Sequence, residues 1–327
     1  MLEHGGNLLA AVAYYGQPRS AWLDLSTGIN PHAYPAPALE PDAWHRLPEN
    51  DPALVLAAMR YYGAPHLLPV AGTQAAIQAL PRLRPQGLVS VAAPAYAEHG
   101  HCWAAAGHTL CRVAYADLGA AIADSDVVVV CNPNNPTGET VAPAQLLDWA
   151  QQLAMRGGWL IVDEAFGDMT PEISVAQHIG QPGLIVLRSV GKFFGLAGLR
   201  LGFVGAHEDI LTALSELLGP WTVSGPAQSI GCAALADADW QQTMRAQLLA
   251  AGQRLQDLLA QYAIASSGTA LFQWWPEPRA VAFQSHMARQ AIWVRRFGDT
   301  GVRLGLPPHE NAWQRLHHAL ATWQEAA

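Results

Sequence analysis

Arg188-Ser189-Val190-Gly191-Lys192-Phe193-Phe194-Gly195-Leu196-Ala197-Gly198-Leu199-Arg200-Leu201-Gly202 decides the reading of this 327-residue chain. A lysine stands between glycines and beside two aromatic rings, with a serine three residues before it and an arginine eight after. An amine that is desolvated and close to another cation gives up its proton more easily, which frees a nucleophile. A hydroxyl and a planar guanidinium fork nearby suit the oxygens of a phosphate. The Ser-x-x-Lys spacing alone is ambiguous, because serine acyl-transfer enzymes carry it too.

Three short apolar runs precede or feed this loop: Val127–Cys131, 159–162 and 184–187. Between the first two, residues 143–156 carry Leu146, Leu147, Ala150, Leu153 and Ala154 on one helical face, with Pro143 at the start. Strand, helix, strand at this spacing predicts an α/β fold with a parallel sheet. In such sheets the polar residues collect beyond the carboxyl ends of the strands. Asn132-Pro133-Asn134-Asn135-Pro136-Thr137-Gly138, Asp163-Glu164-Ala165-Phe166 and the lysine loop all begin there. Asn135, Asp163 and Lys192 are therefore predicted to meet in one crevice, and the cofactor implied is pyridoxal 5'-phosphate. Gly72-Thr73-Gln74, between the apolar run 67–70 and a predicted helix over 75–80, offers backbone amides and a positive helix end to its phosphate. Taken singly these motifs are ordinary: an Asp-Glu pair caps helices, and Asn-Pro-Thr-Gly makes turns. Their order on the predicted elements carries the inference.

In these motifs the chain resembles the fold-type-I, pyridoxal-phosphate-dependent family of aspartate aminotransferase, over most of its length. The resemblance implies a mostly parallel central sheet flanked by helices, with a smaller α+β domain. It assigns Lys192 to the covalent bond and Asp163 to the pyridine nitrogen, whose proton lets the ring accept electrons. Asn135 takes the phenolic oxygen, Tyr96 of Pro94-Ala95-Tyr96 the ring face, and Gly72, Thr73, Gln74, Ser189 and Arg200 the phosphate. Two positions depart from the family pattern. Phe166 replaces a tyrosine that bonds the phenolic oxygen, and Leu47-Pro48 replaces a Tyr-Pro pair that reaches the cofactor phosphate of a partner subunit. Both contacts are expected to be missing. The resemblance also implies a homodimer.

At the ends of the chain, His4-Gly5-Gly6-Asn7 and Asp24-Leu25-Ser26-Thr27-Gly28-Ile29-Asn30-Pro31 resemble signatures of the family's threonine-phosphate decarboxylases, enzymes of cobalamin biosynthesis that make aminopropanol phosphate. Histidinol-phosphate aminotransferases carry an acidic Asn-Glu-Asn-Pro-like segment instead. Two glycines let backbone amides approach an anion, and His4 and Asn7 add donors. Without the other motifs such a segment reads as a flexible lead-in. Gly301-Val302-Arg303-Leu304-Gly305 resembles the strand whose arginine receives the substrate carboxylate. Arg295, in Trp293-Val294-Arg295-Arg296-Phe297, is a candidate for a substrate phosphate or a solvated surface residue. The implied substrate-binding set is His4, Gly5, Gly6, Asn7, Ser26, Gly28, Ile29, Asn135, Arg295 and Arg303. Three readings stand: decarboxylation of L-threonine O-3-phosphate, transamination of histidinol phosphate or an aromatic amino acid, or a non-catalytic regulatory domain that keeps the fold. The first two differ in which bond at Cα is turned perpendicular to the cofactor ring, an angle no sequence displays. Regulators of the third kind usually carry a fused DNA-binding segment, and no basic helix is present here.

Composition fits a metabolic enzyme. The net charge is −8, from 18 basic and 26 acidic residues, with no basic block to suggest nucleic acid. No apolar run approaches the ~20 residues of a membrane span and no signal peptide leads the chain, so a cytoplasmic location is expected. Cys102, Cys111, Cys131 and Cys232 have no metal spacing and read as reduced core thiols. His99-x-His101 and His317-His318 read as packing or surface residues, so no metal is expected. A large cofactor-binding domain is predicted over 36–222, with 1–35 and 223–327 forming a small substrate-closing domain. The boundary is placed at Trp221–Pro226, where a Gly-Pro pair follows a helix over Glu208–Leu218. A long helix over 239–262 should connect the two, and Trp274-Trp275 should lie on a small-domain strand.

Overall fold

The apolar runs form the middle of a seven-stranded sheet in the computed structural model, which describes residues 4–299 and 301–325. From edge to edge the strands are Leu68–Val70, Gly202–Gly205, Leu184–Ser189, Trp159–Asp163, Val127–Cys131, Leu88–Ala92 and Thr109–Val113. All run the same way except Gly202–Gly205, which is antiparallel to both neighbours. Every residue of Val127–Cys131 and Leu184–Ser189 is buried, so both faces of these strands are covered. That is why they read as unbroken apolar runs rather than as alternating ones. The helix Pro143–Ala154 starts with proline in its first turn and buries Leu146, Trp149, Ala150 and Leu153, the stripe of an amphipathic helix. One core cluster joins Val127, Val129, Ile161, Ile185 and Leu187 of the central strands to Ala76, Trp103 and Leu214 of the covering helices. The register sets Cys131 opposite Asp163 and Asp163 opposite Leu187, so three adjacent strands release the chain at one level.

The chain divides into two compact units. The larger, residues 33–135 and 139–241, holds this sheet. The smaller comprises the residues up to His32, Pro136–Gly138 and the chain from Gln242 onward. It contains a four-stranded antiparallel sheet in the order Arg295–Phe297, Gly301–Gly305, Phe272–Pro276, Ser267–Thr269. Leu23–Asp24 and Ile292–Trp293 form a separate parallel pair. Trp274 and Trp275 lie on Phe272–Pro276. The long helix is Ala238–Gln261, and the division at 241/242 falls near its start. The Gly225-Pro226 pair is not a linker. It opens the helix Gly225–Ala236, with proline in the first turn and the Ser224 hydroxyl accepting from the Ala227 amide. A Gly-Pro pair preceded by serine is a helix start, and the serine is what distinguishes the two. Gln228 on that helix binds Asp51 N and Glu49 O, which ties it to the larger unit. Among the described residues no helix is long and apolar enough to cross a membrane.

Candidate functional site

The carboxyl ends of the central strands open into a pocket lined by Thr73, Gln74, Tyr96, Cys131, Asn135, Asp163, Phe166, Ser189, Lys192 and Arg200, among others. Gly72 lies against this pocket. A Cβ on it would fall 2.4 Å from Nη2 of Arg200, and its φ is +74°. Only glycine meets both conditions, and its bareness makes the cradle in which the guanidinium rests.

Asp163 is 5% exposed. One of its carboxylate oxygens is 2.8 Å from Nε2 of His99, and the other accepts the Ala165 amide at 3.0 Å. A buried carboxylate needs such partners. His99 is itself buried, on the helix Ala97–Ala105, one turn beyond Tyr96, whose ring it meets edge-on at 6.0 Å. Read from sequence as a packing or surface residue, it is the contact that reading missed; the usable signal was its i+3 spacing from Tyr96. Potential ligand atoms of His99, Cys131 and Asp163 lie within 4.8 Å of one another. Burial and then Asp163 push the Cys131 thiol well up.

The Tyr96 hydroxyl donates to Gln74 Oε1 at 3.1 Å, and Gln74 Nε2 donates to Glu98 at 2.8 Å. The Gln74 side chain thus serves the tyrosine. Burial first, then Glu98 and Asp163, push the Tyr96 phenol up and keep it protonated. Lys192 Nζ lies 5.6 Å from the Phe166 ring centroid. Ser189 Oγ accepts the Gly191 amide at 3.3 Å, which shapes the loop's first turn. Its far side is anchored by Phe194, stacked on Trp240 with ring centroids 5.6 Å apart. An acid beside a histidine, an amine, and a hydroxyl with a guanidinium in a glycine cradle fit the ring nitrogen, the aldehyde and the phosphate of pyridoxal phosphate.

The other predicted residues belong to the smaller unit. Arg303 is 6% exposed and stands in register with Arg295 on one neighbouring strand and Trp274 on the other. Its guanidinium lies 4.8 Å from the Phe272 ring centroid, and its Nη2 donates to the Ser26 carbonyl at 3.1 Å. Arg295 lies 5.1 Å from the Phe297 ring centroid and is half-buried, not a solvated surface residue. Burial, then Arg295, push the Arg303 guanidinium below its ordinary value. Like charges directly opposite across a ladder are destabilising, and an anion that joins them removes the penalty. Gly28 is buried, Ile29 half-buried and His4 exposed. Asn7 accepts the Ala10 amide at 3.3 Å and so caps the helix Leu8–Tyr15.

The family Aminotransferase class I and II matches residues 21–322. The chain belongs to this family. Within it, the threonine-phosphate decarboxylase of Pseudomonas aeruginosa is 51% identical over 329 residues, covering 100% of this chain and 99% of that protein. The L-threonine-O-3-phosphate decarboxylase from Porphyromonas gingivalis has a similar solved structure, with TM-score 0.78 at 19% identity over 92% of this chain and 99% of that one. The histidinol-phosphate aminotransferase from Sinorhizobium meliloti, solved in complex with pyridoxal-5'-phosphate, gives TM-score 0.75 at 22% identity over 85% and 83%. These structural likenesses show the fold, which a decarboxylase and an aminotransferase share, so the fold does not separate the two reactions. Of the two departures from the family pattern, Phe166 is buried at the pocket, and Leu47 is 65% exposed.

Proposed function

We propose that the protein is a pyridoxal-phosphate-dependent lyase that decarboxylates L-threonine O-3-phosphate to (R)-1-amino-2-propanol O-2-phosphate, for cobalamin biosynthesis. The observation that carries this choice over transamination is the 51% identity to a threonine-phosphate decarboxylase, which runs the whole length of the chain. It therefore includes both ends, where the predicted substrate residues lie.

Lys192, Asp163, Asn135, Gly72, Thr73, Ser189 and Arg200 are the residues that would hold pyridoxal phosphate, with Tyr96 and Phe166 against its ring. When bound, the cofactor draws off the electron pair released at the substrate α-carbon. Lys192 is the only lysine in the chain, and its Nζ, a tyrosine or water returns the proton there. Asp163, oriented by His99, would face the cofactor's ring nitrogen and favour a proton there. Arg303 receives the substrate carboxylate and Arg295 its phosphate. The phosphate lies remote from the reacting carbon, so its binding orients the bond that breaks without acting on it. The C–C bond to the carboxylate breaks, carbon dioxide leaves, and a proton replaces it at Cα. The larger unit is the cofactor-binding domain and the smaller the substrate-closing domain, in a cytoplasmic homodimer. Sedimentation of the holoenzyme tests the dimer.

The test of the reaction is to incubate the cofactor-loaded protein with L-threonine O-3-phosphate and no keto acid. Stoichiometric carbon dioxide and aminopropanol phosphate are expected. Amine transfer that requires 2-oxoglutarate and releases no carbon dioxide overturns the proposal.

A further inference from the structure

Ser26 was predicted to touch the substrate, yet it is 1% exposed and its polar groups are already engaged. Its hydroxyl donates to Asp24 Oδ1 at 2.6 Å and accepts the Gly6 amide at 2.7 Å. Its own amide donates to the same Asp24 oxygen at 2.9 Å. Its carbonyl accepts Arg303 Nη2 at 3.1 Å and also leaves no room for a side chain at Gly5, where a Cβ would fall 2.3 Å away. The directions are fixed by chemistry. A carboxylate only accepts, so the single hydroxyl proton of Ser26 points to Asp24 and a lone pair is left for Gly6. The Gly6 amide is thereby occupied, so it is an anchor and not an anion donor.

We propose that Ser26 is a positioning residue for substrate anions. It holds the His4–Asn7 segment and the Arg303 guanidinium to one buried point, and Asp24 keeps that point from rotating. A substrate with both a carboxylate and a phosphate then meets two preset partners, while a substrate with one anion gains from only one. The naming of that substrate rests on the reaction proposed above; the junction itself does not.

The experiment compares holoenzyme variants Ser26→Ala, Asp24→Ala and Asp24→Asn. Loss of the Ser26 hydroxyl is expected to raise KM for L-threonine O-3-phosphate about tenfold, the scale of one lost hydrogen bond. Turnover should stay within about threefold, and the absorbance of the bound cofactor should not move. Asp24→Ala should follow Ser26→Ala. Asp24→Asn keeps an acceptor for both Ser26 donors and should return KM to near the unmodified value. Inorganic phosphate, titrated calorimetrically into each holoenzyme, should bind more weakly in the two alanine variants. That measurement needs no turnover, so it tests Ser26 even if the protein releases no carbon dioxide. Unchanged KM and phosphate affinity in Ser26→Ala, or a lowered Tm with both unchanged, assigns Ser26 to folding alone and overturns the proposal. If Ser26→Ala does not fold, the Asp24 pair decides on the same readouts.

Discussion

Two charged regions grow from the same pair of strand ends and have opposite characters. Asp163 and Ser189 line the pocket, whereas their immediate neighbours Glu164 and Arg188 belong to a buried ion network. In the network the charges pair with one another. Glu164 accepts from Val175 N, Ser174 Oγ and Arg188 Nη1, while Arg188 Nη2 donates to Asp168 at 2.9 Å. The Arg188 guanidinium also lies 4.3 Å from the Tyr62 ring centroid. Burial alone would push Arg188 down, but Asp168 and Glu164 outweigh it and hold the guanidinium charged. In the pocket, Asp163, Lys192 and Arg200 instead border open space. Arg188 and Ser189, successive residues of the strand Leu184–Ser189, point to opposite faces, while Glu164 is the first residue past the strand that ends at Asp163; in both places a pocket group stands next to a structural one. A charge closed on itself stabilises or specifies; a charge held at a cavity wall is available for reaction.

The sharpest way to break this contrast is Lys192→Ala. Turnover should fall by at least the ~10²–10⁴-fold of a positioned proton-transfer group, with the apoprotein's Tm little changed. Because Lys192 is the only lysine, borohydride treatment of the cofactor-loaded protein should fix one cofactor at that position by mass spectrometry and none in the variant. Retained turnover would end the assignment of the pocket. Arg188→Met should do the reverse. It leaves Glu164 and Asp168 as uncompensated buried charges, which costs ~3–5 kcal/mol of stability by urea denaturation. The folded fraction should keep kcat within a few-fold, and a selective loss of kcat would merge the two regions. Gly72→Ala should act in between. Its Cβ displaces Arg200 and its φ of +74° strains any side chain, at ~1–3 kcal/mol. If all of it falls on the bound state, that corresponds to about 5–150-fold weaker cofactor binding in an absorbance titration.

Legibility follows the same divide. Lys192, Asp163 and Asn135 were readable because parallel strands bring loop motifs to one edge, so order along the chain predicts proximity. The helix Glu208–Leu218 and the strand holding Trp274 and Trp275 were readable from local pattern. The His99–Asp163 bond was not, since its partners are 64 residues apart and a lone histidine carries no period. Nor was the Ser26–Arg303 junction, closed across 277 residues by a backbone carbonyl. Gly202–Gly205 is too short to display an alternation, so its reversed direction had no sequence signal. Gly225-Pro226 misled because the same pair starts a helix or ends a segment, depending on the cap ahead of it.

The smallest effect is expected behind the pocket, at a core thiol, where a neutral group tests whether burial governs reactivity. Cys102 faces Glu98, the carboxylate that holds Gln74 and through it Tyr96. Burial, then Glu98, push its thiol up to about 11. The folded value lies above the unfolded one, so the stability this thiol contributes is complete below about pH 9 and is lost as pH rises through about 11. Native alkylation by iodoacetamide should therefore leave Cys102 intact at pH 8 in peptide maps, and its rate should climb between pH 9 and 11. Cys102→Ser should soften the decline of Tm over that interval, with catalysis at pH 8 nearly unchanged. Rapid alkylation at pH 8 would mean that the thiol is not buried against Glu98 as described.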